Sequence, residues 1–163
     1  MSRAFLIACG SILVIGIAAI RLGPRGAVRT GVPAQHVVER FSPIVGPDGV
    51  LVEALGIETV GGEFTPILPR GMPLPAARTL NFGTATDGQQ EIRLHLLRGM
   101  SPQISLNRSL GWVRIGGLRG GPEARARVAV SFRVTGEGIA LTAYDPADQR
   151  VLPITPAGPP DTP

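Results

Sequence analysis

Residues 128–134 read VAVSFRV, with Val128, Val130, Phe132 and Val134 on one face and Ala129, Ser131 and Arg133 on the other. A period of two marks a strand buried on one side. Thr135-Gly136-Glu137-Gly138 then turns the chain into Ile139-Ala140-Leu141-Thr142-Ala143-Tyr144, so the stretch predicts a hairpin. The same alternation extends outward in both directions. Glu91–Leu97 sets Ile92, Leu94 and Leu96 against Arg93, His95 and Leu97. It follows Thr79–Ala85 across a loop containing Asp87-Gly88, a strong hairpin signal. Gly61-Gly62 separates Leu55–Val60 from Glu63–Leu68 and predicts a third hairpin. Trp112–Ile115 adds a short strand ahead of the Gly-rich run Gly116–Pro122. No window in this part carries a helical period. The prediction is all-β: a β-sandwich of about seven or eight short antiparallel strands over residues 53–154, preceded by one N-terminal hydrophobic helix.

Charge placement excludes one function class. Of the net +4 in 163 residues, the whole excess comes from Arg3, Arg21, Arg25 and Arg29, since residues 1–30 contain no acid. The remainder balances twelve arginines against twelve acids, so the folded part offers no net basic footprint for nucleic acid. A single cysteine, Cys9, rules out an internal disulfide, and no Cys/His cluster suggests zinc. No cofactor is implied by any pattern.

Ala4–Ile20 runs seventeen residues without a charge, the lower limit for a membrane-spanning helix. The arginines at 21, 25 and 29 resist translocation, so residues 1–22 are expected to form a single-pass anchor, contacting the membrane through residues 4–20 with the domain in the cytoplasm. Two other readings stay open. Gly16-Ile17-Ala18 has the spacing of a leader-peptidase site, which would give a secreted or periplasmic domain, and Leu6-Ile7-Ala8-Cys9 resembles a lipoprotein box with a short leader. Residues 23–52, rich in Gly and Pro, read as a flexible tether, and Thr155–Pro163, with four prolines, as a disordered tail.

The order of motifs resembles the peptide-binding β-domain of the seventy-kilodalton heat-shock chaperone family (DnaK type). It opens with Leu55-Gly56-Ile57-Glu58-Thr59-Val60-Gly61-Gly62. Asn81-Phe82-Gly83-Thr84-Ala85, Asp87-Gly88-Gln89-Gln90 and Leu96-Leu97-Arg98-Gly99 follow. Ser109-Leu110-Gly111, Gly116-Gly117-Leu118, Val130-Ser131-Phe132 and Gly138-Ile139 complete the series, which spans about residues 55–154. Single pieces are common, but the ordered series is specific.

The resemblance implies non-enzymatic binding of unfolded or extended polypeptide segments, one apolar side chain anchoring each. By motif, Ile57, Phe82, Ile92, Leu94 and Val128 would line the pocket, with Ile92 as its floor. Val60 and Ala85 would arch over the bound backbone, and Thr59 and Gly83 belong to the same peptide-binding set. Several family features have no counterpart in this sequence. It contains no P-loop to cradle a phosphate, so ATP binding and hydrolysis are not expected of it. The family's interdomain linker corresponds to Gly49-Val50-Leu51-Val52-Glu53, apolar but differently ended. The helical lid is without an equivalent, and Glu123 stands at the family's lid-latching arginine. Val60 is shorter than the family's methionine at the arch, implying a more open arch. An ATPase partner acting in trans is compatible with this pattern.

Other residues read as structural. Ser101, Ser105, Ser109, Asp87 and Asp145 could partner His36 or His95, but no Gly-x-Ser-x-Gly elbow occurs, and His95 reads as a solvated or core-edge residue. Glu58 and Glu63 read as surface carboxylates flanking a turn, and Trp112 as core. A closed sandwich core and an open pocket both require buried apolar residues on one face. The pattern therefore leaves a second reading: an interaction domain that kept the sandwich and lost the pocket.

Overall fold

A computed structural model describes residues 13–14, 45–120, 127–136 and 138–160 of the chain. Its strands are β1 (Leu13–Val14), β2 (Ala54–Thr59), β3 (Glu63–Leu68), β4 (Ala76–Gly83) and β5 (Ile92–Gly99). They continue with β6 (Arg108–Ile115), β7 (Arg127–Thr135), β8 (Gly138–Asp145), β9 (Arg150–Leu152) and β10 (Ile154–Ala157). A short 3₁₀ turn, Ile104–Leu106, precedes β6. Two antiparallel sheets result, in the orders β1-β4-β7-β8-β9 and β10-β6-β5-β2-β3. The all-β sandwich expected from the sequence is the observed fold.

Alternation decides which side chains lie between the sheets. On β7, Val128, Val130 and Phe132 are fully buried and Val134 nearly so, while Arg127 and Arg133 point outward. β8 returns from the turn with Ile139, Leu141 and Ala143 buried in the same core, pairing Val134 with Ile139 and Phe132 with Leu141. From the facing sheet, Ile57, Ile92, Leu94, Val113 and Ile115 meet them. The β2–β3 hairpin turns at Gly61 and Gly62, both at positive φ (98° and 74°), a conformation that suits glycine.

Three details depart from the sequence reading. The loop after β4 is not a hairpin: β4 pairs with β7, whereas β5 pairs with β2 and β6 in the other sheet. Eight residues separate Gly83 from Ile92, enough to cross the roughly 10 Å between packed sheets. A register shift where β5 passes from Leu96 to Leu97 is taken up on β6, where Leu110 is the extra residue between Ser109 and Gly111, so Leu97 stays on the outer face with Arg93 and His95 as the alternation predicts. There it is buried with Ala54 and Phe64 in a small second cluster.

The tether expected to run to residue 52 is folded from Val45 onward. Val45 bridges Leu51, Val50 bridges Pro73, and Leu51 is 1% exposed within the main core. At the other end, Pro153 separates β9 from β10, which join opposite sheets. Ile154, Thr155, Pro156 and Ala157 then pair with Ile115, Arg114, Val113 and Trp112, so ordered strand extends into the tail expected from 155.

The hydrophobic helix expected over 4–20 lies outside the described residues, except at Leu13 and Val14. These two form β1, antiparallel to β4, with Leu13 opposite Gly83 and Val14 opposite Phe82. Among the described residues no helix is long and apolar enough to cross a membrane.

Candidate functional site

β2, β4, β5 and β7 carry the residues assigned by resemblance to peptide binding. Ile57, Phe82, Ile92, Leu94 and Val128 are brought together, each at most 1% exposed and all within the main core. Pocket and core are thus one set of side chains: the five share a single apolar layer between the sheets. Gly83 is buried at the end of β4. Thr59 and Ala85 are half-buried, and Val60, at the tip of the β2–β3 turn, is 60% exposed. Thr59 Oγ1 donates to the Glu63 carbonyl at 3.2 Å and lies 3.2 Å from Thr65 Oγ1, which braces the turn below Val60.

The β4–β5 loop is held by one side chain. Gln89 Oε1 accepts a hydrogen bond from the Ala85 amide at 2.8 Å, and Gln89 Nε2 donates to the Glu91 carbonyl at 2.6 Å. Leu118 closes the far side, donating its amide to the Gln90 carbonyl at 3.0 Å. Thr84 is buried at the start of this loop. Glu123, assigned to the lid-latching position, falls outside the described residues.

β4 is paired with β7 along its whole length, from Ala76–Val134 to Gly83–Arg127. On its opposite edge, among the described residues, only Phe82 and Gly83 have strand partners, Val14 and Leu13. An edge with unpaired amides and carbonyls is a template for another extended segment.

A second constellation was legible in the sequence only in part, as a possible pairing of His95 with Ser109. His95 Nδ1 lies 2.7 Å from Glu58 Oε2, His95 Nε2 lies 2.7 Å from Ser109 Oγ, and the imidazole stacks on Trp112 with centroids 4.4 Å apart and planes at 7°. Glu58 is on β2, His95 on β5, and Ser109 and Trp112 on β6. Glu58 is thus an ion-pair partner rather than a free surface carboxylate, and Trp112 lies half-buried on the outer face rather than in the core. A serine–histidine–glutamate order suggests acyl-transfer chemistry. Ser109 Oγ, however, also accepts the Gly111 amide at 3.2 Å, and one face of the imidazole is covered by the indole. Both ring nitrogens are engaged, so the group acts as a clasp across three strands. The signal that could have found it is the run of outward positions: Glu58, His95 and Trp112 sit on adjacent strands, with His95 directly opposite Trp112. His95→Ala is expected to cost about 1–3 kcal/mol, from hydrogen bonding to a charged group and the lost stack. Urea denaturation followed by Trp112 fluorescence checks this; an unchanged midpoint would show that the clasp contributes nothing.

An apolar hollow of about 420 Å³ opens elsewhere, between Phe64, Pro66, Pro69, Arg70, Met100 and Pro102 on the outer side of the second sheet. It shares no residue with the resemblance-derived set. Among the described residues no group of three or more His, Cys, Asp or Glu side chains is placed to hold a metal.

The family model described as Hsp70 protein matches residues 38–154. The chain belongs to the Hsp70 family. Its relatives include the chaperone protein dnaK1 of Synechococcus elongatus, 37% identical over 90 residues that cover 55% of this chain and 14% of the relative. The stromal 70 kDa heat shock-related protein of Spinacia oleracea is 36% identical over 133 residues, 81% of this chain and 21% of the relative. This Hsp70-family chain therefore spans about a seventh to a fifth of the length of the curated relatives it matches. The match begins at 38, ahead of the motifs that carry the resemblance, in keeping with the packing of Leu51 into the Hsp70-family core.

Proposed function

We propose that this Hsp70-family domain is a chaperone-like binding module that holds extended, apolar polypeptide segments without a chemical step of its own. The observation that supports the reading is the edge of β4 at Phe82 and Gly83, beside which two residues of the same chain, Leu13 and Val14, lie as an antiparallel strand. Strand addition supplies main-chain hydrogen bonds, and alternate side chains of the guest supply specificity. The guest's apolar side chain would insert between the sheets among Ile57, Phe82, Ile92, Leu94 and Val128, beneath the Val60 turn and the Ala85 loop. The apolar run 4–20 and the arginines that follow it support a membrane-tethered placement with the domain in the cytoplasm.

The test is fluorescence anisotropy of a labelled Leu-centred heptapeptide titrated with the full chain, its Ile92→Phe variant and a Val130→Phe variant. Burying one leucine contributes about 1.5–3 kcal/mol, so a blocked pocket floor is expected to weaken binding about tenfold to a hundredfold. Both substitutions overpack buried positions, at about 1–3 kcal/mol of stability. Val130 is outside the peptide-binding set, so Val130→Phe is expected to lower the melting temperature comparably and to leave peptide affinity within about threefold at a temperature where the fold is intact. Equal losses of affinity in both variants, or no saturable binding by the wild type, overturn the proposal and favour an interaction domain with a closed core.

A further inference from the structure

The hollow on the outer side of the second sheet takes no part in the peptide-binding reading, and both of its walls are held in place by the chain itself. On one side Asn107 fixes the loop after β5. Its Nδ2 donates to the Ser101 and Gln103 carbonyls at 2.7 and 3.0 Å, and its Oδ1 accepts the Ser101 amide at 3.1 Å. On the other side, the turn carrying Pro69 and Arg70 is tied back by Gly71, whose amide donates to the Leu51 carbonyl at 2.7 Å. Phe64, packed with Ala54 and Leu97, lies beneath. A preformed apolar cavity of about 420 Å³ falls within the roughly 300–1,000 Å³ of small-molecule sites.

The lining selects the ligand. Pro66 and Pro102 have no amide hydrogen, and the Phe64 amide is already given to the Pro102 carbonyl at 2.8 Å. The hollow therefore offers an extended peptide little backbone to pair with. Met100, 60% exposed, adds apolar surface at the mouth. Among the lining residues the only charge is Arg70, and no carboxylate stands beside it. Among the described residues its guanidinium has no hydrogen-bond or ion-pair partner. We propose that the hollow binds a small amphipathic carboxylate, its headgroup paired with the Arg70 guanidinium and its apolar tail laid over Phe64 between Pro66 and Met100. The planar guanidinium fork matches a carboxylate in shape as well as charge. At roughly 30 Å³ for a water-sized group, the volume holds about fourteen non-hydrogen atoms, and octanoate has about ten. The proposal does not depend on the peptide-binding reading, since the two sites share no side chain.

The experiment titrates octanoate, octanol and octylamine into the full chain, isotope-labelled at its backbone amides and methionine methyls, and follows both by NMR. Met72, packed against the main core, supplies the reference signal. Octanoate is expected to move the Met100 methyl and the Phe64, Arg70 and Ser101 amides, with a Kd of about 0.2–5 mM for about ten atoms in an open site. Octanol carries the same tail without the charge and is expected to bind about three- to tenfold more weakly. Arg70→Gln should bring octanoate down to the octanol level. Arg70→Glu should invert the preference, so that octylamine moves these signals and octanoate does not. Arg70 is exposed, so both variants are expected to keep the wild-type melting temperature. Equal binding of octanoate and octanol, undiminished octanoate binding by Arg70→Gln, or shifts that spread to Met72 and the core amides overturn the proposal. An acetylated, amidated Leu-centred heptapeptide that moves the same signals more tightly than octanoate also overturns it, and makes the hollow a peptide site.

Discussion

Phe132→Ala is expected to cost about 3–5 kcal/mol of folding free energy, the range for removing a buried aromatic ring. Phe132 is fully buried at the middle of β7, between Arg78 of β4 and Leu141 of β8 in the pairing register, and its ring fills the layer that both sheets share. A domain of this size has about 5–15 kcal/mol in all, so the variant loses about a fifth or more of its stability. Guanidinium denaturation of both proteins, followed by circular dichroism, measures the difference. Phe64→Ala is the internal comparison, since Phe64 belongs to the small outer cluster and is 9% exposed. It should cost less, because its site opens toward the hollow beside Pro66 and Met100. A Phe132→Ala cost below about 1 kcal/mol would mean that the central layer is loosely packed.

Gly56→Ala is expected to be nearly as severe, at about 3 kcal/mol, by the opposite mechanism. The residue sits at a register shift of β2 against β3, and an added Cβ would meet the Thr65 carbonyl oxygen and lie 2.6 Å from the Phe64 ring. The ring can swing aside, whereas the carbonyl is fixed by the hairpin. Combining Gly56→Ala with Phe64→Ala should therefore recover only part of the loss, and a double-mutant cycle on urea midpoints reads that part directly. Full recovery would assign the whole penalty to the ring; no penalty in the single variant would mean that the hairpin shifts freely.

The hairpin of β7 and β8 was legible because Val128–Val134 alternates without a break and Gly136 and Gly138 flank the turn. Gly61-Gly62 marked the β2–β3 turn for the same local reason. Pairing partners were harder. Asp87-Gly88 is a genuine turn signal, but nothing local distinguishes a turn within a sheet from one that crosses between sheets, since both strands bury one face either way. Leu97 was legible as an outer-face residue but not as a buried one, because its cover, Ala54 and Phe64, comes from β2 and β3. Val45–Leu51 and Thr155–Ala157 looked like tether and tail because Pro and Gly dominate them, yet each is held by contacts with residues distant in sequence, Pro73 for Val50 and Val113 for Pro156. The candidate site was legible as a set of five apolar side chains and not as a cavity, because burial between sheets and burial under a guest demand the same residues.

The apolar clusters on the two faces of β5 have a genetic consequence. Toward its start Arg93 is the permissive outward position, while Ile92, Leu94 and Leu96 are intolerant and His95 is held by its contacts with Glu58, Ser109 and Trp112. Toward its end the outer face is covered as well, so Leu97 and Gly99 become a second constrained pair. Gly99 joins that pair because its φ of 152° and the neighbouring Asn107 amide leave no space for a side chain. A single-codon deletion within the strand would reverse the faces of the residues beyond it, presenting His95 to the interior or Leu94 to solvent. β5 should therefore tolerate many individual replacements yet reject any change in its length.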